Sequence, residues 1–250
     1  MREWRSKIDS IVLAAGTGSR LSGEGREEKA LPKPLFPLGS KPLLEHVIQR
    51  LSAIEPRRIV VVLGWGHQQI ERFLRDLNLG IEIIAVLNPR PERENGYSLL
   101  QAEGLVGERF LVVMADHLTD PAIYRAAAGH HDLGLCVDFT PSPWMIAEAT
   151  KVLVKDGKII GIGKDLKEWN GLDTGVFSLT PLSFQALHHL EARSRLTITD
   201  MVLELIAMGE AFRAIDVSGM PWIDIDTPED LKRAHEIIGP CSSPSASPRP

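Results

Sequence analysis

The sequence has few cysteines and no long apolar run, and both features narrow the classes of protein to which it can belong. Its two cysteines, Cys136 and Cys241, suit neither a disulfide framework nor the spacing of a zinc site. No apolar run approaches the roughly 18 residues that span a bilayer. The N-terminal MREWRSKIDS also lacks the apolar segment of a signal peptide. We therefore expect a protein without a membrane span, in the reducing cytoplasm.

An excess of positive charge is lacking as well. The 250 residues include 28 Lys and Arg against 33 Asp and Glu, and the formal net charge of -5 argues against nucleic acid as a partner. Hydrophobic residues make up 44% and charged residues 24%, which is ordinary for a globular protein. The length suits one α/β domain. We expect a single domain over residues 1–238, followed by a disordered Pro- and Ser-rich tail over residues 239–250.

Apolar runs alternate with helical patterns through the first half of the chain. The predicted strands are Ile8–Leu13, Arg58–Leu63, Ile81–Leu87 and Phe110–Met114, and the predicted helices are Pro42–Ile54 and His67–Leu77. Strands that are apolar throughout and alternate with helices indicate a parallel sheet covered on both faces. We therefore predict an α/β fold with a doubly wound, mixed and mostly parallel sheet.

The second half of the chain predicts a β-hairpin and a return to the sheet. Ala149–Val154 and Lys158–Ile162 flank an Asp156-Gly157 turn. Two helices and a strand are predicted at Pro181–Ala192, Ile198–Met208 and Phe212–Val217. The segment Thr227-Pro228-Glu229-Asp230 is typical of a helix start, with threonine as N-cap, proline first in the helix and aspartate three residues after the cap.

The loop after the first predicted strand has the features of an anion-binding loop. In Gly16-Thr17-Gly18, two glycines one residue apart let the backbone turn tightly and direct N–H groups toward an anion. Position 21, where a dinucleotide-binding loop needs its third glycine, is Leu21 and follows Arg20, and a P-loop lysine is missing. Arg20 suits phosphate oxygens instead, as does Lys33, whose backbone is stiffened by a proline on each side. The alternative is a surface turn followed by solvated charges.

Separated aspartates are candidates for binding a divalent cation. Asp116 follows the strand Phe110–Met114, at the edge where open α/β sheets bind ligands. Asp226 ends a short predicted strand before the helix cap and is expected to leave the sheet edge too, while Asp224 lies on the same face as a rival ligand. Carboxylate oxygens suit Mg²⁺, which shares its shell with phosphates. The alternative for Asp116 is a turn or helix-cap aspartate.

Leu-Ala-Ala-Gly-x-Gly-x-Arg followed by Lys-Pro resembles the signature of the sugar-phosphate nucleotidyltransferases. The resemblance implies a Rossmann-like fold and an enzyme in which Arg20, Lys33 and Asp116 are catalytic and Mg²⁺ is bound by Asp116 and Asp226. It implies nucleotide binding by Leu13, Ala14, Ala15, Gly16, Gly18, Arg20, Lys33, Asn95, Gly96 and Ser98. Asn95-Gly96 is also a plain turn signal. Residues 22–30 are expected to form a mobile flap.

The hairpin and the segments around it are the candidates for an acceptor site. A phosphate needs cations, and Lys151 and Lys164 flank the hairpin, which is expected to lie over that site as an insertion. Asp173 suits hydroxyl groups. The predicted acceptor-binding residues are Glu148, Thr150, Lys151, Lys164 and Asp173. The alternative for the two lysines is simple solvation. For His117, a local hydrogen bond is favoured over contact with the acceptor.

Four segments resemble one branch of the family, the CTP:inositol-1-phosphate cytidylyltransferases: Asn-Gly-Tyr-Ser-Leu, Met-Ala-Asp-His, Ala-Thr-Lys-Val and Asp-Thr-Gly-Val-Phe. The resemblance covers residues 8–238 and implies transfer of CMP from CTP to inositol-1-phosphate. The products, CDP-inositol and pyrophosphate, would serve compatible-solute biosynthesis. Some members of the branch are fused to a membrane phosphotransferase domain, and we expect a stand-alone form here.

Three other interpretations stay open at this point. The same chemistry can use another sugar-1-phosphate, phosphocholine or a phosphonate. A nucleotide-binding regulatory protein without turnover is an alternative of a different class, although Lys33, Asp116 and Asp226 are all present. An NAD(P)-dependent oxidoreductase is disfavoured by Arg20-Leu21, which leaves the loop without its third glycine.

Overall fold

Residues 8–16 and 31–238 are described by a computed structural model. The predicted flap, the predicted tail, Gly18 and Arg20 lie outside the described residues. The strands are β1 (Asp9–Ala14), β2 (Pro37–Leu38), β3 (Lys41–Pro42), β4 (Arg58–Leu63), β5 (Glu82–Leu87), β6 (Phe110–Met114), β7 (His117–Thr119), β8 (Gly134–Asp138), β9 (Lys151–Lys155), β10 (Lys158–Gly163), β11 (Gly171–Leu179), β12 (Arg213–Asp216) and β13 (Trp222–Asp224). The α-helices are α1 (Leu43–Leu51), α2 (His67–Asp76), α3 (Glu94–Leu100), α4 (Pro121–Gly129), α5 (Leu182–His189), α6 (Ile198–Ala207) and α7 (Pro228–Ile238). Across these described ranges, no helix is both long and apolar enough to cross a bilayer.

Nine of the described strands form one mixed sheet in the order β5-β4-β1-β6-β11-β8-β12-β10-β9. The strands from β5 to β6 are parallel, and the part beyond β6 is largely antiparallel. The hairpin β9–β10 is present and joins this sheet through β12 and β11. Its turn places Asp156 and Gly157 at φ 51° and 71°, the conformation that an Asp-Gly pair favours.

Helices cover both faces of the sheet, which confirms the doubly wound prediction. Along β1, Ile11 and Leu13 contribute to one buried cluster, and Val12 and Ala14 contribute to the other. This alternation follows from the two-residue period of a strand. Apolar residues of α3, α5 and α6 complete the first cluster, and those of α1, α2 and α4 complete the second. The carboxyl ends of the parallel strands therefore emerge from a sheet that has helices on both faces.

The chain near Asp226 differs from the prediction. The strand before it, β13, ends at Asp224 and pairs with β7 in a separate two-stranded sheet. The expectation that Asp226 itself ends this strand was therefore wrong, although Asp226 lies with Asp116 at the same cavity. The predicted helix start after it is confirmed, because the Thr227 and Asp230 side chains and backbone amides bond reciprocally. This capping box fixes the chain directly after Asp226.

Candidate active site

A cavity of about 780 Å³ opens where β1 and β6 end. The segment after β1 lines it with Ala15 and Gly16, and the segment after β6 lines it with Asp116 and His117. The start of α3, the beginning of β11, residues 144–150 and Lys164 line it as well. Because β6 lies between β1 and β11 in the sheet, Asp116 lies between the lining segments that follow β1 and those that begin β11.

Strand register brings distant residues to Asp116. β11 is antiparallel to β6 with Val176 opposite Val113, so the start of β11 lies beside the end of β6. On the small sheet, Asp224 lies opposite His117. The Ile225 amide also donates a hydrogen bond to the Asp116 carbonyl over 3.0 Å. Backbone pairing thus holds this acidic segment in place before any ligand is considered.

Lys33 lies at the centre of the site and bridges two carboxylates. Its Nζ is 2.6 Å from Asp116 Oδ2 and 2.8 Å from Asp226 Oδ1. The residue is buried, at 8% exposure, and its backbone belongs to the short 3-10 helix Lys33–Leu35. Prolines 32 and 34 fix φ on either side, which supports the expected stiffening of the backbone and leaves the side chain as the movable part.

The opposite charges of this cluster stabilise one another in their ionised forms. Burial alone would lower the pKa of Lys33, but the carboxylates of Asp116, Asp224 and Asp226 outweigh burial and raise that pKa above its ordinary value. Burial would likewise raise the pKa of Asp116, but the Lys33 ammonium and the His117 ring hold it well below its usual range. Lys33 is thus an ammonium and Asp116 a carboxylate at neutral pH.

His117 sits against the same carboxylates. Its Nδ1 is 3.0 Å from Asp116 Oδ1 and 3.7 Å from Asp224 Oδ1. Burial disfavours the charged ring, but Asp224 and Asp116 outweigh it and raise the pKa of His117 to about 9. The ring stacks on Trp222 with 6.4 Å between the centroids, and Trp222 Nε1 donates a hydrogen bond to buried Asp138 over 3.0 Å. His117 is therefore oriented from two sides.

The described residues fit a divalent cation in their chemistry. Asp116, His117 and Asp224 each offer a ligand atom, and these atoms lie within 4.8 Å of one another. Asp224 Oδ1 is buried and accepts no hydrogen bond. Burial raises the pKa of Asp224 to about 6, so this carboxyl ionises near neutral pH. Hard carboxylate oxygens of this kind are the ligands that Mg²⁺ prefers.

The predicted nucleotide-binding residues separate into two groups. Leu13, Ala15, Gly16, Lys33, Asn95 and Ser98 line the cavity. Ala14 packs into the helix-covered core instead. Gly96 packs on the segment before α6, where a Cβ would lie 2.7 Å from the Leu196 carbonyl oxygen. Asn95 and Ser98 also have local partners, since Asn95 Oδ1 accepts from the Ile198 amide and Ser98 Oγ accepts from Asn88 Nδ2, each over 2.9 Å.

Most of the predicted acceptor residues line the cavity. Glu148, Thr150, Lys164 and Asp173 do so. Lys151 instead contacts the segment that follows β10: its Nζ donates a hydrogen bond to the Lys164 carbonyl over 2.8 Å. Asp173 Oδ1 accepts from the Gly175 amide over 2.7 Å, and burial raises the pKa of Asp173 to about 6. The hairpin thus holds Lys164 at the cavity through Lys151.

Sequence reasoning missed several lining residues. Trp222, Trp144, Glu94 and Gly175 all line the cavity. The two-residue period of a strand places Trp222 on the same face as Asp224, so that pattern was available as a signal. Gly175 has φ 76°, and a Cβ there would lie 2.5 Å from His117 Cδ2. The contact of Gly175 with His117 depends on strand register, for which the sequence offered no signal.

Comparisons with known proteins found similar sequences over most of the chain. The chain is 34% identical over 237 residues to the "Bifunctional IPC transferase and DIPP synthase" of Rubrobacter xylanophilus, covering 94% of this chain and 52% of that protein. The protein of the same description from Archaeoglobus fulgidus is 34% identical over 232 residues, covering 92% of this chain and 44% of that one. The chain therefore spans about half the length of the curated relatives it matches.

Solved structures match over nearly the whole chain. The inositol-1-phosphate CTP transferase from T. maritima superposes with a TM-score of 0.83 at 26% identity, covering 93% of this chain and 95% of that one. A UDP-glucose pyrophosphorylase complexed with UDP-glucose matches with a TM-score of 0.76 at 18% identity, over 92% and 97%, which shows the shared fold alone. Residues 10–141 match the model of the MobA-like NTP transferase domain. Since that match takes in more than half of the chain, this protein belongs to the MobA-like NTP transferase family and is a nucleotidyltransferase.

Proposed function

We propose that this protein is an Mg²⁺-dependent cytidylyltransferase that transfers CMP from CTP to inositol-1-phosphate, giving CDP-inositol and pyrophosphate. The observation that carries the proposal is the contact of Lys33 with Asp116 and Asp226 in a cavity at the end of β6. The choice of CTP and inositol-1-phosphate is supported by what the similar proteins are described as doing.

The nucleotide occupies the part of the cavity that follows β1 in this proposal. Ala15 and Gly16 offer backbone at the end of that strand, and Asn95 and Ser98 place amide and hydroxyl groups where the base and ribose would lie. Both side chains are fixed by their local hydrogen bonds. A polar group held in one orientation discriminates between bases better than a free one.

The acceptor occupies the part of the cavity beside β11. Lys164 supplies a positive charge for its phosphate, and Asp173 and Thr150 supply oxygens for its hydroxyl groups. The Asp173 amide donates to the Thr150 carbonyl over 2.9 Å, which keeps the two residues together. A polyol phosphate presents both kinds of group, a dianionic end and a ring of hydroxyls.

The reaction then needs alignment and charge neutralisation. An oxygen of the acceptor phosphate attacks the α-phosphorus of CTP, and the bond to the leaving pyrophosphate breaks. The acceptor phosphate is already ionised, so a general base is unnecessary. Lys33 neutralises charge on the phosphates. Asp116 and Asp226, with Asp224 as the rival ligand, would hold Mg²⁺, which would supply further positive charge there.

Removing the Lys164 ammonium is expected to weaken binding of the acceptor and to leave binding of the nucleotide unchanged. Lys164→Ala should raise the KM for inositol-1-phosphate by about tenfold or more with little change in kcat, because a hydrogen bond to a charged group contributes about 1.5–3 kcal/mol. Steady-state kinetics with each substrate varied in turn provides the measurement.

Lys158→Ala is the matched control, since Lys158 lies at the other end of β10, beside the hairpin turn, and pairs in register with Lys155. Its KM values should equal those of the wild type. An increase in the KM for CTP alone in the Lys164 variant would place this lysine on the nucleotide and contradict the assignment.

A matrix of nucleoside triphosphates against acceptor phosphates tests the proposed function. We expect pyrophosphate release with CTP and inositol-1-phosphate, and its loss on adding EDTA. Release with another sugar-1-phosphate, phosphocholine or a phosphonate would keep the chemistry and overturn the substrates. Nucleotide binding without release for any pair would favour a regulatory protein.

A further inference from the structure

The ammonium of Lys33 takes up the carboxylate oxygens that a divalent cation would need. It contacts Asp116 Oδ2 and Asp226 Oδ1 at hydrogen-bond distance, while Asp116 Oδ1 faces His117 Nδ1 at 3.0 Å. Both oxygens of Asp116 therefore have a cationic or donor partner within the protein. A metal–oxygen distance of about 2.0–2.1 Å for Mg²⁺ would bring a second positive charge against the ammonium on the same oxygens.

We propose that Lys33 is an internal cation that competes with the divalent metal for Asp116 and Asp226, so that tight metal binding requires a nucleotide to draw the ammonium away. The inference rests on the proposed function only in taking these two aspartates as the metal ligands. It assigns to Lys33 a positioning role that makes metal and nucleotide binding interdependent.

The backbone of both aspartates is held close to the ammonium. The Ile225 amide bonds to the Asp116 carbonyl, and the Asp226 amide donates to Asp230 Oδ2 over 3.2 Å at the start of α7. The longer Lys33 side chain therefore has the widest range of movement among the three groups. Its backbone is fixed between two prolines, whereas its four-carbon stem has several rotatable bonds.

A nucleotide supplies the alternative partner. Triphosphate oxygens carry more negative charge than the two carboxylates and lie, in the proposed function, on the same side of β6 as Gly16. Once the ammonium pairs with phosphate, Asp116 Oδ2 and Asp226 Oδ1 no longer have it as a partner, which favours binding of a cation there. Each ligand then increases the affinity for the other, as linkage requires.

Direct titration with Mn²⁺, followed by the EPR signal of the free ion, tests the competition without turnover. In the absence of nucleotide, Lys33→Met is expected to bind Mn²⁺ about tenfold or more tightly than the wild type, because a like charge has been removed from the ligands. Lys33→Arg keeps the charge and should remain as weak as the wild type. If Lys33→Met binds Mn²⁺ no more tightly, the proposal is wrong.

Lys164→Met is the control for net charge. Lys164 lines the same cavity, and among the described residues it forms no ion pair with Asp116 or Asp226, so its affinity for Mn²⁺ should stay within about twofold of the wild type. A gain equal to that of the Lys33 variant would show a general electrostatic effect and overturn the specific competition.

Two further measurements complete the test. If Lys33→Met fails to fold, Lys33→Gln provides a neutral side chain that can still donate a hydrogen bond, and the same gain is expected. A CTP analogue with a methylene bridge between the α- and β-phosphates should tighten Mn²⁺ binding in the wild type more than in the neutral variant. A gain in the neutral variant without any response to this analogue would support the competition and contradict CTP as the nucleotide.

Discussion

Replacing Asp116 with asparagine is expected to lower kcat for nucleotidyl transfer by about 10²–10³-fold or more, with the fold retained. The loss follows because the variant removes a fixed carboxylate where charge must be balanced during transfer, and single preorganised groups of this kind are worth factors of that size. In this structure Asp116 contacts both Lys33 and His117, so its loss also disturbs two positive groups. Initial rates of pyrophosphate release give the measurement.

Asp120→Asn is the matched control for Asp116→Asn. Asp120 lies four residues away and caps α4 by accepting from the Ala122 amide over 2.7 Å, a task that asparagine performs equally well. Its rate should match that of the wild type. A wild-type rate in the Asp116 variant would refute the assignment of this aspartate.

Gly175→Ala is expected to destabilise the protein by about 2–5 kcal/mol and to impair the site. The φ of 76° disfavours an L side chain by about 1–2 kcal/mol, and overlap in a packed site adds about 1–3 kcal/mol. The new Cβ would lie 2.5 Å from His117 Cδ2, so the ring must move away from Asp116. Urea denaturation gives the free energy of unfolding, and the same preparation gives kcat.

Gly129→Ala provides the comparison for Gly175→Ala. A Cβ at Gly129 would meet no atom within 4 Å, and the residue ends α4, so the free energy of unfolding should fall by less than about 0.5 kcal/mol. Equal stability of the two alanine variants would contradict the predicted clash with His117.

The strands that hold the site were largely predictable because their apolar runs are bounded by polar segments. Arg58–Leu63 and Phe110–Met114 have the predicted bounds. The ends of the helices were less predictable. The segment predicted as the helix Pro42–Ile54 is α-helical over Leu43–Leu51 and continues as a 3-10 turn. Helix ends depend on local capping and on what the last turn packs against, which periodicity does not reveal.

The contacts of Lys33 with the two aspartates could not be predicted from the sequence. Lys33 meets Asp116 across 83 positions and Asp226 across 193, and both contacts depend on the order of strands in the sheet. The pairing of β13 with β7 instead of the central sheet also had no signal, because each of these strands is only three residues long. Residue types and their place after a strand identified the candidates, but only the topology shows which of them touch.

Some assignments by resemblance included residues that serve packing. Ala14 alternates with Leu13 and Ala15 along the chain, and the period of two places it on the opposite face of β1. Gly96 meets the backbone before α6, so its lack of a side chain is explained by close packing. Motif matching cannot distinguish a residue that contacts a ligand from one that lets its neighbours do so.

The central claim is tested most directly by following phosphorus-31 NMR spectra of the protein with CTP, inositol-1-phosphate and Mg²⁺. Transfer to the α-phosphorus predicts CDP-inositol and pyrophosphate in equal amounts, with both signals absent when EDTA replaces the metal. Release of pyrophosphate together with CMP would contradict the proposed cytidylyl transfer. An unchanged CTP spectrum, with consumption of a different nucleoside triphosphate in a parallel sample, would contradict it as well.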